Sequence, residues 1–201
     1  MKKLVNITIV TMLAFTLSAC GNNVESNTIV NAELTDREKG ILLITSDQSF
    51  VFDFNIDSEY TEASVWIEKY EFGKLVDEQT GPLISKITNN GSIIFTITES
   101  EALDNQQLFN IGISSDGGAA SLKTFDTISI KGTDGMSSVW GSINEEMDII
   151  NENLVLASIR YSWGEGSMGS LSSEFYKDVE GQINEIENFE VVYLLRSKFT
   201  K

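Results

Sequence analysis

Four apolar residues at every second position, Phe50, Phe52, Phe54 and Ile56, with Asp53, Asn55 and Asp57 between them, constrain this chain more than any other feature. Only an extended strand with one dry and one wet face turns a period of two into a coherent surface. The same reading extends along the chain. Ala63, Val65 and Ile67 alternate with Trp66, Glu68 and Tyr70, so both faces carry bulk and a strand covered on both sides is implied. Residues 83–88 and 93–98 flank Asn89-Asn90-Gly91, which predicts a tight hairpin, because Asn-Gly adopts positive φ at little cost. Phe109, Ile111 and Ile113 form another strand; Asp116-Gly117-Gly118 turns the chain, and Ile128 and Ile130 lie on a further one. Asp134-Gly135 turns it again before a strand at 139–143. Val155, Ala157, Ile159, Tyr161 and Trp163 share one parity, and 191–195 is the last strand.

Helical signals are few. Ser142-Ile143-Asn144-Glu145 has capping-box spacing and predicts a short helix through Ile150. Phe175, Val179, Ile183 and Ile186 recur at near-helical intervals, interrupted by Gly181. The apolar run 41–44 reads as part of the β pattern that begins at Lys39. Short strands, glycine and asparagine turns, and one proline predict an all-β chain, an antiparallel β-sandwich of immunoglobulin-like or related architecture with one or two short helices. One domain over residues 39–201 is expected, two small sandwiches joined near Asn105 or Gly132 being the alternative.

The N-terminus has a different character. Lys2 and Lys3 precede an apolar run over 4–17, interrupted by Asn6, Thr8, Thr11 and Thr16, too short and polar to span a bilayer well. It ends in Leu17-Ser18-Ala19-Cys20. This tetrad resembles the bacterial lipobox, and with the Asn, Ile and Lys usage the chain resembles the small lipoproteins of Gram-positive, Firmicutes-type bacteria. The resemblance implies a signal peptide over 1–19, removal before Cys20, lipidation (palmitate-type) of that thiol, and a lipid-anchored location on the extracytoplasmic face of the cell membrane. Residues 20–38, polar and rich in asparagine, read as a flexible tether. Two acyl chains hold a protein where one does not.

Charge and composition then exclude function classes. Without Lys2 and Lys3 the chain carries 12 basic against 30 acidic residues, a net charge of about −18. Such an acidic body is repelled by anionic lipid and by nucleic acid, so no nucleic-acid partner is expected. The expected partners are the membrane, through the N-terminal lipid, and a protein or cell-envelope polymer. The sequence contains no histidine and no cysteine besides Cys20, which removes Ser-His-Asp and Cys-His catalysis and the usual zinc ligand sets. No cofactor is implied, and no enzyme activity is expected. The alternatives are a carboxylate-based hydrolase of envelope polysaccharide and a subunit of a membrane-associated assembly.

Three constellations carry chemistry. Gly164-Glu165-Gly166-Ser167-Met168-Gly169 matches Gly-x-Gly-x-x-Gly, yet its neighbours read as antiparallel β rather than as the parallel unit a dinucleotide requires, so it is taken as an exposed loop. Trp66, Trp140, Tyr161 and Trp163 supply flat aromatic area of the kind on which sugar rings stack. Trp163, Trp140, Gly164, Gly166 and Met168 are therefore the candidate binding surface. Asp53, Asp57, Glu59 and Glu62 are oxygen donors without the spacing of a calcium loop, nor does a glycine turn give Asp116 or Asp134 that spacing.

Overall fold

A computed structural model describes residues 27–99, 106–116, 118–128, 136–150, 152–163 and 169–201. Strand β1 (Thr28–Asn31) leads into helix α1 (Asp36–Thr45), and then come β2 (Gln48–Asn55), β3 (Glu62–Glu71), β4 (Lys74–Lys86), β5 (Asn90–Glu99), β6 (Gln106–Ser115) and β7 (Gly118–Thr127). The second half contributes β8 (Ser137–Ser142), β9 (Met147–Asp148), β10 (Leu154–Ser162), the short helix α2 (Ser173–Lys177), a 3-10 turn (Ile183–Glu185) and β11 (Val191–Thr200). The strands form two sheets, in the orders β7-β6-β5-β2-β1-β9 and β4-β3-β11-β10-β8. Every pairing among the described residues is antiparallel. The protein is an all-β sandwich, and each sheet combines strands from both halves of the chain.

The alternation at 50–56 does what its period requires. Phe52, Phe54 and Ile56 are buried, while Asp53 on the opposite face is exposed and accepts a hydrogen bond from Ser92 Oγ at 2.6 Å. A run of rings crosses the interior from one sheet to the other: Phe50 to Phe95 at 6.1 Å, Phe95 to Phe109 at 5.9 Å, Phe109 to Tyr193 at 5.0 Å and Tyr193 to Tyr161 at 6.1 Å. Offset and edge-to-face rings at such distances attract beyond their area burial, by roughly 0.5–1.5 kcal/mol per pair.

The second sheet is covered on its outer side too. The excursion from Gly169 to Phe189 lays Phe175, Val179 and Ile186 over it, all buried. Tyr176 Oη lies 3.1 Å from Ser158 Oγ, and Arg160 donates from Nη1 to the Gly169 carbonyl at 2.8 Å under the Phe189 ring. This is why β10 is buried on both faces. Gly181 ends the helical run: its N–H donates to Asp178 Oδ1, leaving one short helix and one 3-10 turn.

Four expectations are corrected. Asn89-Asn90-Gly91 is not a hairpin: β4 pairs with β3 and β5 with β2 and β6, so this connection carries the chain between the sheets. Its positive φ at Asn89 is real, but Ile87 is buried beside it, and Ser115 Oγ donates to Thr88 O and accepts from Thr88 N, which commits the turn to a crossover. The apolar run 41–44 lies on a helix, because Thr35 and Glu38 form a capping box at its start. The stretch 142–150 forms no helix; it ends β8 and adds the two-residue strand β9 beside β1. Finally, residues 28–38 are not tether. β1 pairs with both β2 and β9, and Ile29 is fully buried, so the sandwich starts at Thr28 rather than Lys39.

Gly91 packs where a Cβ would strike both the Phe54 ring and the Ser114 carbonyl. Overpacking of this kind costs about 1–3 kcal/mol. Gly91→Ala should lower the urea midpoint accordingly; an unchanged midpoint would show that the β2–β5–β6 packing is looser than described.

Candidate binding cleft between the sheets

One edge of the sandwich is shut. Gly81, at φ +65°, brings β4 so close to β7 that a Cβ there would meet the Thr124 methyl group at 2.6 Å. The other flank is more open, because β8 is an edge strand of only six residues. Here a cleft of about 240 Å³ runs between the start of β2, the end of β5 and the start of β6 on one side, and β8 and β10 on the other.

The residues of this cleft are placed by register. Trp140 pairs with Ile159 and Ser138 with Tyr161, so all four side chains share the face of the second sheet that looks toward the first. The partners of Ile159 and Tyr161 on β11 are buried, whereas among the described residues Trp140 has no strand beyond it, and it stays 50% exposed. The opposite wall is polar: Asp47 and Gln48 open β2, Glu99 closes β5, and Gln107, 1% exposed, shares the inward parity of Phe109 and Ile111. Asp47 Oδ2 accepts from the Glu99 amide at 2.8 Å and the Asp47 amide donates to Ile97 O, which ties the two strand ends together. Tyr161 donates its hydroxyl to Gln107 Oε1 at 3.0 Å, bridging the two sheets at the back of the cleft.

Behind the cleft lies a buried charge cluster. Lys69, on β3, sits 2.7 Å from Asp126 Oδ2 and 3.4 Å from Glu71, and Tyr193 donates to the same Asp126 oxygen at 2.6 Å. One buried ammonium is thereby matched by two carboxylates, the arrangement that makes such burial tolerable. Burial raises the Tyr161 hydroxyl far above its ordinary range, helped by the negative charges of Glu99 and Asp47; burial and then Asp126 do the same to Tyr193. Both stay protonated donors. In a separate network on the outer face, Tyr70 donates to Glu68, which also accepts from Arg196, and burial followed by the Glu68 charge pushes Tyr70 up to about 12.

The sequence-derived candidates are thus divided. Trp140 lines the cleft and Tyr161 forms its back, but Trp163 is half-buried and packs against the core, and Trp66 is buried, so the four aromatics make no common platform. Gly164, Gly166 and Met168 lie outside the described residues, as does Cys20. Three of the acidic residues considered for calcium have protein partners instead: Asp53 accepts from Ser92, Asp57 from Asn27, and Glu59 pairs with Lys201. Asp116 accepts from Thr88 and Asn89, while Asp134 lies outside the described residues. Among the described residues no group of three metal-ligating side chains converges. Asp47, Glu99 and Gln107 were not singled out by sequence. Gln107 carried a signal, a polar residue on the buried parity of a strand, whereas the two acids are unremarkable at strand ends.

A family model described as the YgaN domain matches residues 28–199, from the first residue of β1 to the penultimate residue of β11, and so takes in both sheets and the cleft. No curated protein and no solved structure matches the chain.

The tyrosine shifts give a pH dependence of definite sign. Tyr70, Tyr161, Tyr176 and Tyr193 are all raised in the folded state above their ordinary value of ~10, mainly by burial. The folded protein therefore holds protons that the unfolded chain releases, and stability is unaffected below pH ~10 and falls as pH rises beyond it. Absorbance at 295 nm should show these four tyrosines ionising late, together with unfolding; their ionisation near pH 10 in a folded protein would contradict this burial.

Proposed function

The chain belongs to the YgaN domain family, and from the lipobox-like tetrad ending at Cys20 and the cleft beside Trp140 we propose that it is a membrane-anchored extracytoplasmic lipoprotein whose sandwich serves as a binding module for a neutral, hydroxyl-rich polymer of the cell envelope. The observation that carries this reading is Trp140: a large flat ring, half exposed on an edge strand, facing a cleft whose other groups are polar. A sugar ring presents an apolar face that stacks on such an indole, while its hydroxyls find acceptors in Asp47 and Glu99. At about 240 Å³ the cleft is smaller than a site that engulfs a whole small molecule, and suits one residue of a longer chain. The two carboxylates disfavour an anionic polymer.

The same acids are what a glycoside hydrolase would need, but Asp47 is engaged with the Glu99 amide, and the two groups tie strand ends together. Binding without cleavage is the better fit. The anchor rests on the lipobox at Cys20 and supplies the membrane residence that a body of net charge about −18 lacks.

Trp140→Ala should weaken binding of purified envelope polysaccharide by about tenfold or more, as removal of a central aromatic contact does, with the fold intact because the ring is at the surface. Unchanged affinity, or release of new reducing ends, would overturn the binding reading. Independently, Cys20→Ala should shed the protein to the medium or leave the precursor unprocessed; normal processing with unchanged membrane retention would refute the anchor.

A further inference from the structure

Helix α1 is out of keeping with the rest of the molecule. It has ten residues and none is buried, although it carries Ile41-Leu42-Leu43-Ile44 in its second half. Leu42 is half-buried and lines a shallow groove of about 270 Å³ between the helix and the outer face of the first sheet. At 100° per residue, Leu43 and Ile44 fall on either side of the direction opposite Leu42, and they are 80% and 82% exposed. A helix this short is marginal in water on its own. Its capping box holds its first turn, yet among the described residues nothing covers Leu43 and Ile44.

We propose that this face docks on the lipid bilayer that holds the N-terminal anchor, with Ile41, Leu43 and Ile44 entering the membrane interface. The proposal rests on the lipid-anchor reading above. Three observations single out lipid as the occupant. First, Cys20 is seven residues from Asn27, where the described chain begins, so the bilayer surface lies within roughly 25 Å of that point even when the link is fully extended. Asn27 leads into β1, and β1 pairs with β2, one of the two strands whose outer faces the helix overlies. The anchor thus enters one strand away from the apolar face.

Second, the charge is right. Asp36, Arg37, Glu38 and Lys39 cancel, so the helix is neutral on a body of net charge about −18. An anionic membrane repels the acidic surface elsewhere and spares this patch, which orients the molecule with α1 toward the lipid. Third, the same outer side of the first sheet exposes Ile94 and Phe125, which widen the apolar area on the side of the helix.

The test uses the lipidated full-length protein in vesicles of zwitterionic and anionic phospholipid. With Cys20 acylated, Leu43→Cys, Ile44→Cys and Glu180→Cys each carry one free thiol for a nitroxide label, Glu180 being exposed on the excursion that covers the other sheet. Labels at 43 and 44 should be more accessible to oxygen than to a water-soluble nickel complex, and the label at 180 the reverse. Protein that floats with the vesicles but shows all three labels in water would overturn the helix proposal alone. Spin–spin coupling between copies at 43 would overturn it in favour of self-association. Protein that does not float would overturn the anchor itself, and the docking with it.

Discussion

The aromatic seam between the two sheets is the interaction on which the rest depends. Phe50, Phe95 and Phe109 carry it across the first sheet, and Tyr193 and Tyr161 receive it on the second. Its last two members are amphipathic, and both hydroxyls leave the apolar layer as hydrogen-bond donors. Tyr193 reaches Asp126 and so helps to satisfy the buried Lys69; Tyr161 reaches Gln107 and forms the back of the cleft. Packing and site are therefore one construction: the rings that hold the sheets together also fix the polar groups at their open flank.

The position of the cleft follows from how the sandwich handles its edges. Two sheets leave four edge strands, and unpaired edges invite association. On one side β4 and β7 lean together at Gly81 and Thr124 and close the gap. On the other, β9 is two residues long and β8 six, and Asn31 bridges toward β8 through Ser142 Oγ and the Ile143 carbonyl. The remaining opening is where Trp140 hangs. A functional surface at the least closed part of the scaffold is what a rigid sandwich has to offer a long polymer.

Most of the fold was legible because burial on one face writes itself as a period of two. The strands around Phe52 and Phe109 announce themselves in this way, while those around Val65, Ile159 and 191–195, covered on both faces, show bulk on both parities. What was not legible is which strand pairs with which. Asn89-Asn90-Gly91 has hairpin chemistry, but the positive φ of Asn89 serves equally well to hand the chain to the opposite sheet, and only the burial of Ile87 decides between them. Likewise Ile41-Leu42-Leu43-Ile44 looks like buried strand by hydropathy, while the capping box at Thr35 and Glu38, plain in the sequence, marks a helix. The site was half legible. Trp140 stood out by residue type, but Asp47, Glu99 and Gln107 come from three strands and are joined only by pairing register.

The central claim, that the β8 flank is the ligand surface, can be tested directly by following the indole N–H resonances of the three tryptophans while envelope oligosaccharides are added. The account predicts that Trp140 shifts with the largest amplitude and that Trp66, buried under the opposite face of the second sheet, stays still. Movement of Trp66 or Trp163 with Trp140 unchanged would contradict it.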